Sequence, residues 1–501
     1  MGVAMTSKDK RQMGLFDNVL HFPTERVGKR PQDMGFVGPR GPRQAIAGLL
    51  GSPFSLPGGA TGPRGPGASY SISLSEDQAQ VFRAVLDWLE FRANPIPGVE
   101  RSKLLTMGGL AGTGKTTVIG ALATRFRDNR LLVAYATFTG RASSVLSGKL
   151  AAAGVQTLSR QAKPDGYRGK DQKHLFLDPT EMRTPFCGTL HKLLYRPVLN
   201  EKEEILGWKK REVLDRPYDL IVVDEASMVA DDMLLDLQMH QIPILAVGDH
   251  GQLPPVMASG NLMATPELRL KKIHRQARDN PIIKFAWHVR KTGELEDKFE
   301  DGKHIRFRDK KDLEKVLREA YSGVQSAIDV GILCYTNKWR IRLNLAARRV
   351  LGHKGYPNKG EILICLKNMQ DSEIYNGMRG VVATDTFIST PGDWKFGCDV
   401  GFPDEGLAPR HLQLCGPQFN RERVFEGLDA LDPRMKGVKT MADIGALFDF
   451  GYAMTVHKSQ GSQMKHVIFF VESLAFEDAE LWKKLAYTAV TRSSDRLTIL
   501  V

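Results

Sequence analysis

Two rhythms of apolar residues alternate along this chain. Short continuous apolar runs recur at Leu104 to Met107, Leu131 to Thr137, Leu220 to Asp224, Ile244 to Gly248, Gly331 to Thr336, Val467 to Val471 and Leu497 to Val501. Runs of this length fit strands buried on both faces of a parallel sheet. Between them lie stretches with helical spacing. One carries Phe82, Val85, Leu86 and Leu89 behind Ser75, which can cap it, and another covers Thr116 to Phe126. Strands alternating with helices predict an α/β fold, with parallel sheets covered by helices on both faces.

Some regions break this rhythm. Residues 1–69 are rich in Gly, Pro and Arg, as in Gly38-Pro39-Arg40-Gly41-Pro42-Arg43, and show no apolar period. Such a segment buries too little surface to offset its ordering entropy, so a flexible, disordered N-terminal tail is expected. Residues 383–445 are interrupted by Gly and Pro and read as an inserted small domain, with the turn signal Asn376-Gly377 just before it. Between Tyr195 and Glu212 two short strands are expected around Asn200-Glu201-Lys202-Glu203, with Trp208 as a packing residue. The polar, basic stretch between Gly154 and Pro185 (Arg160, Lys163, Arg168, Lys170, Lys173) fits either a nucleic-acid loop or a solvated insertion.

Composition narrows the class. A chain of 501 residues points to more than one domain, and 42% apolar with 25% charged residues suits a full core. The net charge of +13 fits a polyanionic partner, although solubility alone also accounts for it. No apolar run approaches the ~20 residues of a membrane span, and no signal-peptide core is seen, so no membrane partner is expected. The five cysteines lie far apart without a C-x-x-C, which suggests reduced thiols and a cytoplasmic protein. Cys398, His411 and Cys415 have poor spacing for zinc.

The chemistry centres on Gly109-Leu110-Ala111-Gly112-Thr113-Gly114-Lys115-Thr116, which matches G-x-x-x-x-G-K-[ST] between a predicted strand and helix. Its glycines let backbone N–H groups approach phosphates, and the helix N-terminus, running on through Thr117, adds its positive dipole end. Lys115 is expected at the β- and γ-phosphates and the Thr116 hydroxyl on Mg²⁺. Asp224 at the end of its apolar run is expected to hold the metal, and Glu225 to act as the base for the attacking water or to orient it. Gln78 carries an amide able to read adenine. ATP and Mg²⁺ are therefore the expected substrate and cofactor.

Four further stretches follow in order: Val247 to Val256 with Gln252, Ile273-His274-Arg275-Gln276, Thr455 to Ser462, and Tyr487-Thr488-Ala489-Val490-Thr491-Arg492. Together with the phosphate loop they resemble the motifs of superfamily 1 helicases, in the branch of RecD-like and phage Dda-type enzymes. The resemblance runs from Leu74 to the C-terminus. It implies two RecA-like P-loop NTPase domains in tandem, with ATP between them. Residues 70–292 would form the first, 293–382 and 446–501 the second, and 383–445 an SH3-like insert. The strands at about 195–212 would be a duplex-splitting pin or an ordinary surface hairpin.

The resemblance also implies roles. Arg275 and Arg492 would face the γ-phosphate, where the ordinary reading of either is a surface salt bridge. Gln252 would sense that phosphate. Phe138, Thr139 and Arg141, then Thr189 and His191, then Thr336 and Asn337, then His457 and Ser459, would grip a strand by its phosphates and bases. Core packing of Leu190 and Leu193 with a satisfied His191 is the competing account of the second pair. Gln12, Leu15 and Phe16 form a Q-x-x-L-F resembling peptides that dock on bacterial sliding clamps, or a chance match. The expected function is an ATP-dependent DNA helicase, monomeric, acting on single strands and junctions of single- and double-stranded DNA with 5′-to-3′ polarity, in a bacterial or phage-infected cell. The rival readings are an RNA helicase, a weakly active recombination subunit and a small-molecule kinase.

Overall fold

The first helix, α1 (Glu76–Ala93), opens on a reciprocal cap. The Gln78 N–H donates to Ser75 Oγ at 3.3 Å, and the Ser75 N–H to Gln78 Oε1 at 3.1 Å. This capping box satisfies two N–H groups that a helix start leaves unpaired. The computed structural model describes residues 73–93, 102–159, 179–199, 205–255, 261–274, 279–322, 327–369, 374–387, 394–403, 407–427, 432–433, 435, 438, 443–473 and 478–501. The expected tail with Gln12, Leu15 and Phe16, most of the 154–185 insertion, and Arg275 lie outside them.

The chain continues through β1 (Leu104–Gly109), α2 (Lys115–Asp128), β2 (Val133–Thr137), α3 (Gly140–Ala152), β3 (Phe186–Thr189), α4 (Leu190–Leu194), β4 (Tyr195–Leu199), β5 (Ile205–Lys210), β6 (Leu220–Asp224), α5 (Asp231–Met239), β7 (Ile244–Gly248) and β8 (Leu268–Leu270). Six of these strands form a parallel sheet in the order β3-β2-β6-β7-β1-β8. Its strands read as unbroken apolar runs because both faces are covered. Leu220 and Val222 of β6 pack with Val118 of α2 and Leu146 of α3. Ile221 and Val223, pointing the other way, pack with Leu190 of α4 and Leu237 of α5. The strands β4 and β5 form a separate antiparallel hairpin in which Trp208 stands opposite Pro197.

The second half runs α6 (Pro281–Thr292), β9 (Ile305–Arg308), α7 (Leu313–Ser322), β10 (Val330–Cys334), α8 (Asn337–Val350), β11 (Ile362–Cys365), β12 (Arg379–Val382), β13 (Lys395–Phe402), β14 (Leu407–Cys415), β15 (Phe448–Phe450), β16 (Ala453–Thr455), β17 (Met464–Phe470), α9 (Ala479–Val490) and β18 (Ser493–Leu500). A second parallel sheet has the order β16-β10-β17-β18-β9. An antiparallel sheet has the order β14-β13-β12-β11-β15.

Two expected boundaries move. Helix α6 was expected in the first domain, which was to end at 292, yet Ile282, Phe285 and Val289 pack with Leu485, Phe469 and Ile499 of the second sheet and its helix α9. Both faces of the first sheet are already covered, so the apolar stripe of α6 is buried elsewhere. The insert expected over 383–445 also widens, because the antiparallel sheet takes β11 and β12 before it and β15 after it. Short apolar runs carry no period that separates antiparallel from parallel strands. Arg379 ties this sheet to the second parallel sheet, donating to the carbonyls of Gly451, Ile328 and Val330 at 3.0, 2.8 and 2.6 Å.

Candidate nucleotide site and strand groove

The loop after β1 turns through two left-handed glycines, Gly112 at φ 81° and Gly114 at φ 77°. The left-handed φ of Gly114 favours glycine, and a Cβ there would lie 2.2 Å from Gln78 Nε2 and displace that amide. Lys115 Nζ is folded over the loop and donates to the Gly109 and Leu110 carbonyls at 2.7 and 3.3 Å. Thr116 Oγ1 lies 3.5 Å from Lys149 Nζ of α3, and Thr117 is exposed. The loop closes on itself where Thr113 Oγ1 donates to the Leu110 carbonyl at 2.8 Å. Gln78 is buried against this loop. Its Nε2 lies 3.4 Å from the carbonyls of Thr113 and Gly114, while its Oε1 is spent on the capping box. His274 braces the same turn, with its N–H on the Gly112 carbonyl at 3.1 Å.

Asp224 and Glu225 stand at the end of β6, two strands from the loop. Burial, then the neighbouring charge of Glu225, raises the Asp224 carboxyl to about 6, against the pull of Lys115 and Lys149. Glu225 takes a left-handed φ of 55°, uncommon for a residue with a Cβ. Strain of this kind, at an acid that ends a buried parallel strand, suits a functional position. Glu225 Oε2 and Gln252 Oε1 are both buried without a hydrogen-bond partner among the described residues. Orphaned buried acceptor oxygens fit a site built for a water or a metal ion. The donor set of a hydroxyl and carboxylates is the hard oxygen set that Mg²⁺ prefers.

The second parallel sheet closes over this loop. Tyr487 of α9 is fully buried, accepts a hydrogen bond from the Ala111 N–H at 2.7 Å and donates to Asp249 Oδ2 at 2.7 Å. Arg492, just beyond α9, is 7% exposed and lies within electrostatic reach of Tyr487. It donates to the Thr488 carbonyl, the Ser462 carbonyl and Thr491 Oγ1, each at 3.2 Å. Among the described residues it makes no salt bridge. The surface ion pair that is the ordinary reading of an arginine does not hold here.

A groove of ≈420 Å³ opens beside the same junction. Phe138, Thr139 and Arg141 line it from the first sheet, and His457, Lys458 and Ser462 from the second. The two sides touch where Arg141 donates to the Gln463 carbonyl at 3.3 Å. Asn376 and Gly377, in the turn between β11 and β12, line it as well, and the Tyr375 ring packs so closely on Gly140 that a Cβ there would meet it at 2.4 Å. His191 lies edge-on to Phe138, with ring centroids 6.3 Å apart.

The remaining strand-contact expectations fare differently. Ser459 is fully buried and donates to the Val456 carbonyl at 2.7 Å, which shapes a short 3-10 turn. Thr189 accepts the Lys192 N–H at 3.2 Å as the cap of α4. Thr336 is bound to Glu472 through its N–H and hydroxyl at 2.7 and 2.8 Å, and Asn337 Oδ1 accepts from Arg340 Nε at 3.0 Å. Ser459 and Thr189 serve the backbone, a common use of Ser and Thr, while Thr336 and Asn337 are held by the side chains of Glu472 and Arg340. Asp249, Tyr487, Lys458 and Gln460 were missed although each lies inside a motif already singled out. Trp287 and Tyr375 carried no sequence signal.

The chain matches the AAA domain family over residues 98–310 and the UvrD-like helicase C-terminal domain over 450–500. It is 25% identical over 451 residues to the ATP-dependent RecD2 DNA helicase of Deinococcus radiodurans, covering 84% of this chain and 48% of that protein. It is 26% identical over 443 residues to the RecBCD enzyme subunit RecD of Mycolicibacterium smegmatis, covering 79% and 68%. The chain thus spans about half the length of the RecD2 relative. The Pif1 helicase from Bacteroides, in complex with ADP-AlF3 and ssDNA, overlaps 85% of this chain and 92% of its own, with 17% identity and a TM-score of 0.45. At that identity and TM-score the overlap carries no functional weight. The sequence matches cover the phosphate loop, the acidic pair and the stretch ending in Arg492, and over these residues the chain is similar to RecD-like helicases.

Proposed function

We propose that this protein is an ATP-driven motor that moves 5′ to 3′ along single-stranded DNA and opens duplexes. One observation carries the reading: the junction that brings Tyr487 onto the phosphate loop also forms the groove lined by Arg141, His457 and Lys458. A nucleotide seam and a basic strand path at one junction let closure around ATP shift one grip relative to the other.

In this reading Lys115 leaves the Gly109 carbonyl for the triphosphate, and the loop N–H groups hold the β-phosphate. Mg²⁺, held by Thr116 and Asp224, would neutralise charge on the phosphate oxygens. Glu225 would use its unpartnered oxygen to orient the attacking water, and Gln252 would position its own amide beside it. Arg492, and Arg275 by motif position, would supply positive charge to the γ-phosphate. Phe138 would offer a ring to a base, and Arg141 with Lys458 would hold phosphates without regard to sequence. The hairpin of β4 and β5 would act as the pin. The protein would work as a monomer, with a sliding clamp as a further partner through the tail.

The deciding experiment measures ATP turnover and strand displacement on duplexes with a 5′ or a 3′ overhang. Displacement from the 5′ overhang with turnover stimulated by deoxyribose strands is expected. No displacement from either substrate would sink the motor, and stronger stimulation by ribose strands would assign RNA instead.

A further inference from the structure

Ala111, at the tip of the phosphate loop, is held on both sides by aromatic side chains from the second half of the chain. Its N–H donates to the Tyr487 hydroxyl at 2.7 Å, and its carbonyl accepts from Trp287 Nε1 at 3.1 Å. Trp287 lies on α6 and Tyr487 on α9, two helices that pack together in one apolar cluster and share an Arg290–Glu480 ion pair at 3.2 Å. Tyr487 donates its own proton to Asp249 Oδ2, which stands 3.9 Å from Lys115 Nζ.

We propose that Trp287 and Tyr487 are positioning residues that make ATP turnover depend on strand binding. The proposal rests on the helicase reading above. A phosphate loop binds through its backbone N–H donors. In this structure the Ala111 N–H is committed to a phenol, and the carbonyl on the other side of the residue is tied to an indole. The tip therefore cannot reorient unless α6 and α9 move.

The same C-terminal end of α9 that carries Tyr487 also reaches the groove. Arg492 donates to the carbonyl of Ser462, which lines it. Gln460, also lining it, donates to the Leu253 carbonyl at 2.9 Å, and the Leu253 N–H donates to Thr488 Oγ1 at 3.1 Å, one residue after Tyr487. A strand that shifts the segment from Gln460 to Ser462 pulls on the helix that holds Ala111. Such a chain of bonds is a physical route, and its coupling must be measured.

The test compares wild type, Tyr487→Phe and Trp287→Phe as full-length chains. Steady-state ATP turnover is measured with and without oligo-dT, and oligo-dT affinity by fluorescence anisotropy. Each variant keeps an aromatic ring and loses the polar group. The strand-free kcat is expected to rise, so that the fold stimulation by oligo-dT falls by about fivefold or more while oligo-dT affinity stays unchanged. A purely structural role would lower both turnover rates together and leave their ratio intact. An intact ratio in both variants overturns the proposal, and if Tyr487→Phe fails to fold, Trp287→Phe alone decides. A wild type whose turnover ignores oligo-dT overturns the helicase reading instead.

Discussion

Lys115 donates to the carbonyl of Gly109, the first residue of its own loop, at 2.7 Å. That bond keeps the ammonium on its own loop, from which phosphate oxygens would draw it away. Lys115→Ala is expected to lower ATP turnover by ~10²–10³ and abolish strand displacement, by analogy with the loss of one transition-state donor. Strand binding should survive. Displacement at the wild-type rate would contradict the role of Lys115.

Among the described residues Arg492 makes only neutral contacts and is buried, so its charge is available to a ligand at the junction. Arg492→Ala should still bind ATP, followed with a fluorescent analogue, but turn it over ~10³-fold more slowly. Arg492→Lys should not rescue, because a point ammonium does not reproduce the guanidinium fork. Full activity of either variant would remove Arg492 from the site.

Lys458 lines the groove half-buried, and burial, with Arg340 adding to it, holds its pKa down from 10.5 to about 8. The amine carries charge below that value and loses it above. Affinity for single strands should therefore fall between pH 7 and 9, and the salt dependence should shrink by about one phosphate contact. Lys458→Met should remove this pH step. Folding responds with the opposite sign. Between about 8 and 10.5 the unfolded chain binds the extra proton, so stability rises with pH across that window. A binding isotherm that does not change between pH 7 and 9 would exclude Lys458 as a strand contact.

Glu361 is fully buried and accepts from Arg348 Nε and Nη2 at 2.8 and 2.9 Å, and from the Asn358 N–H at 2.9 Å. Glu361→Ala leaves the guanidinium of Arg348 buried without its carboxylate. Urea unfolding should report a loss of about 3–5 kcal/mol, with the KM for ATP unchanged in the folded fraction. A midpoint equal to wild type would mean water reaches the pair.

Changing Leu15 and Phe16 together to Ala should spare strand displacement and remove association with a bacterial sliding clamp in a surface-binding assay. Clamp binding that survives the double change would eliminate the tail motif.

Much of the architecture could be read from apolar patterning. Runs such as Leu220 to Val223 are legible because both faces of a parallel strand are buried, and Gly112 and Gly114 because glycine takes their left-handed backbone most readily. The edges of units were less legible. α6 has an apolar stripe like any amphipathic helix, and nothing local says which sheet receives it. β11 and β12 are too short for period to distinguish the sheet they join.

The phosphate loop, the acidic pair after β6 and the order of the motifs could be read from residue type alone, because they depend only on neighbours close in the chain. Tertiary structure alone decided what meets across the junction. Tyr487 lies 376 residues from Ala111 and Trp287 lies 176 from it, and hydrogen bonds between them leave no local trace. Packing likewise decided that Ser459 and Thr189 bond to nearby backbone while Lys458 faces the groove, because a polar side chain takes whichever partner the fold brings within reach.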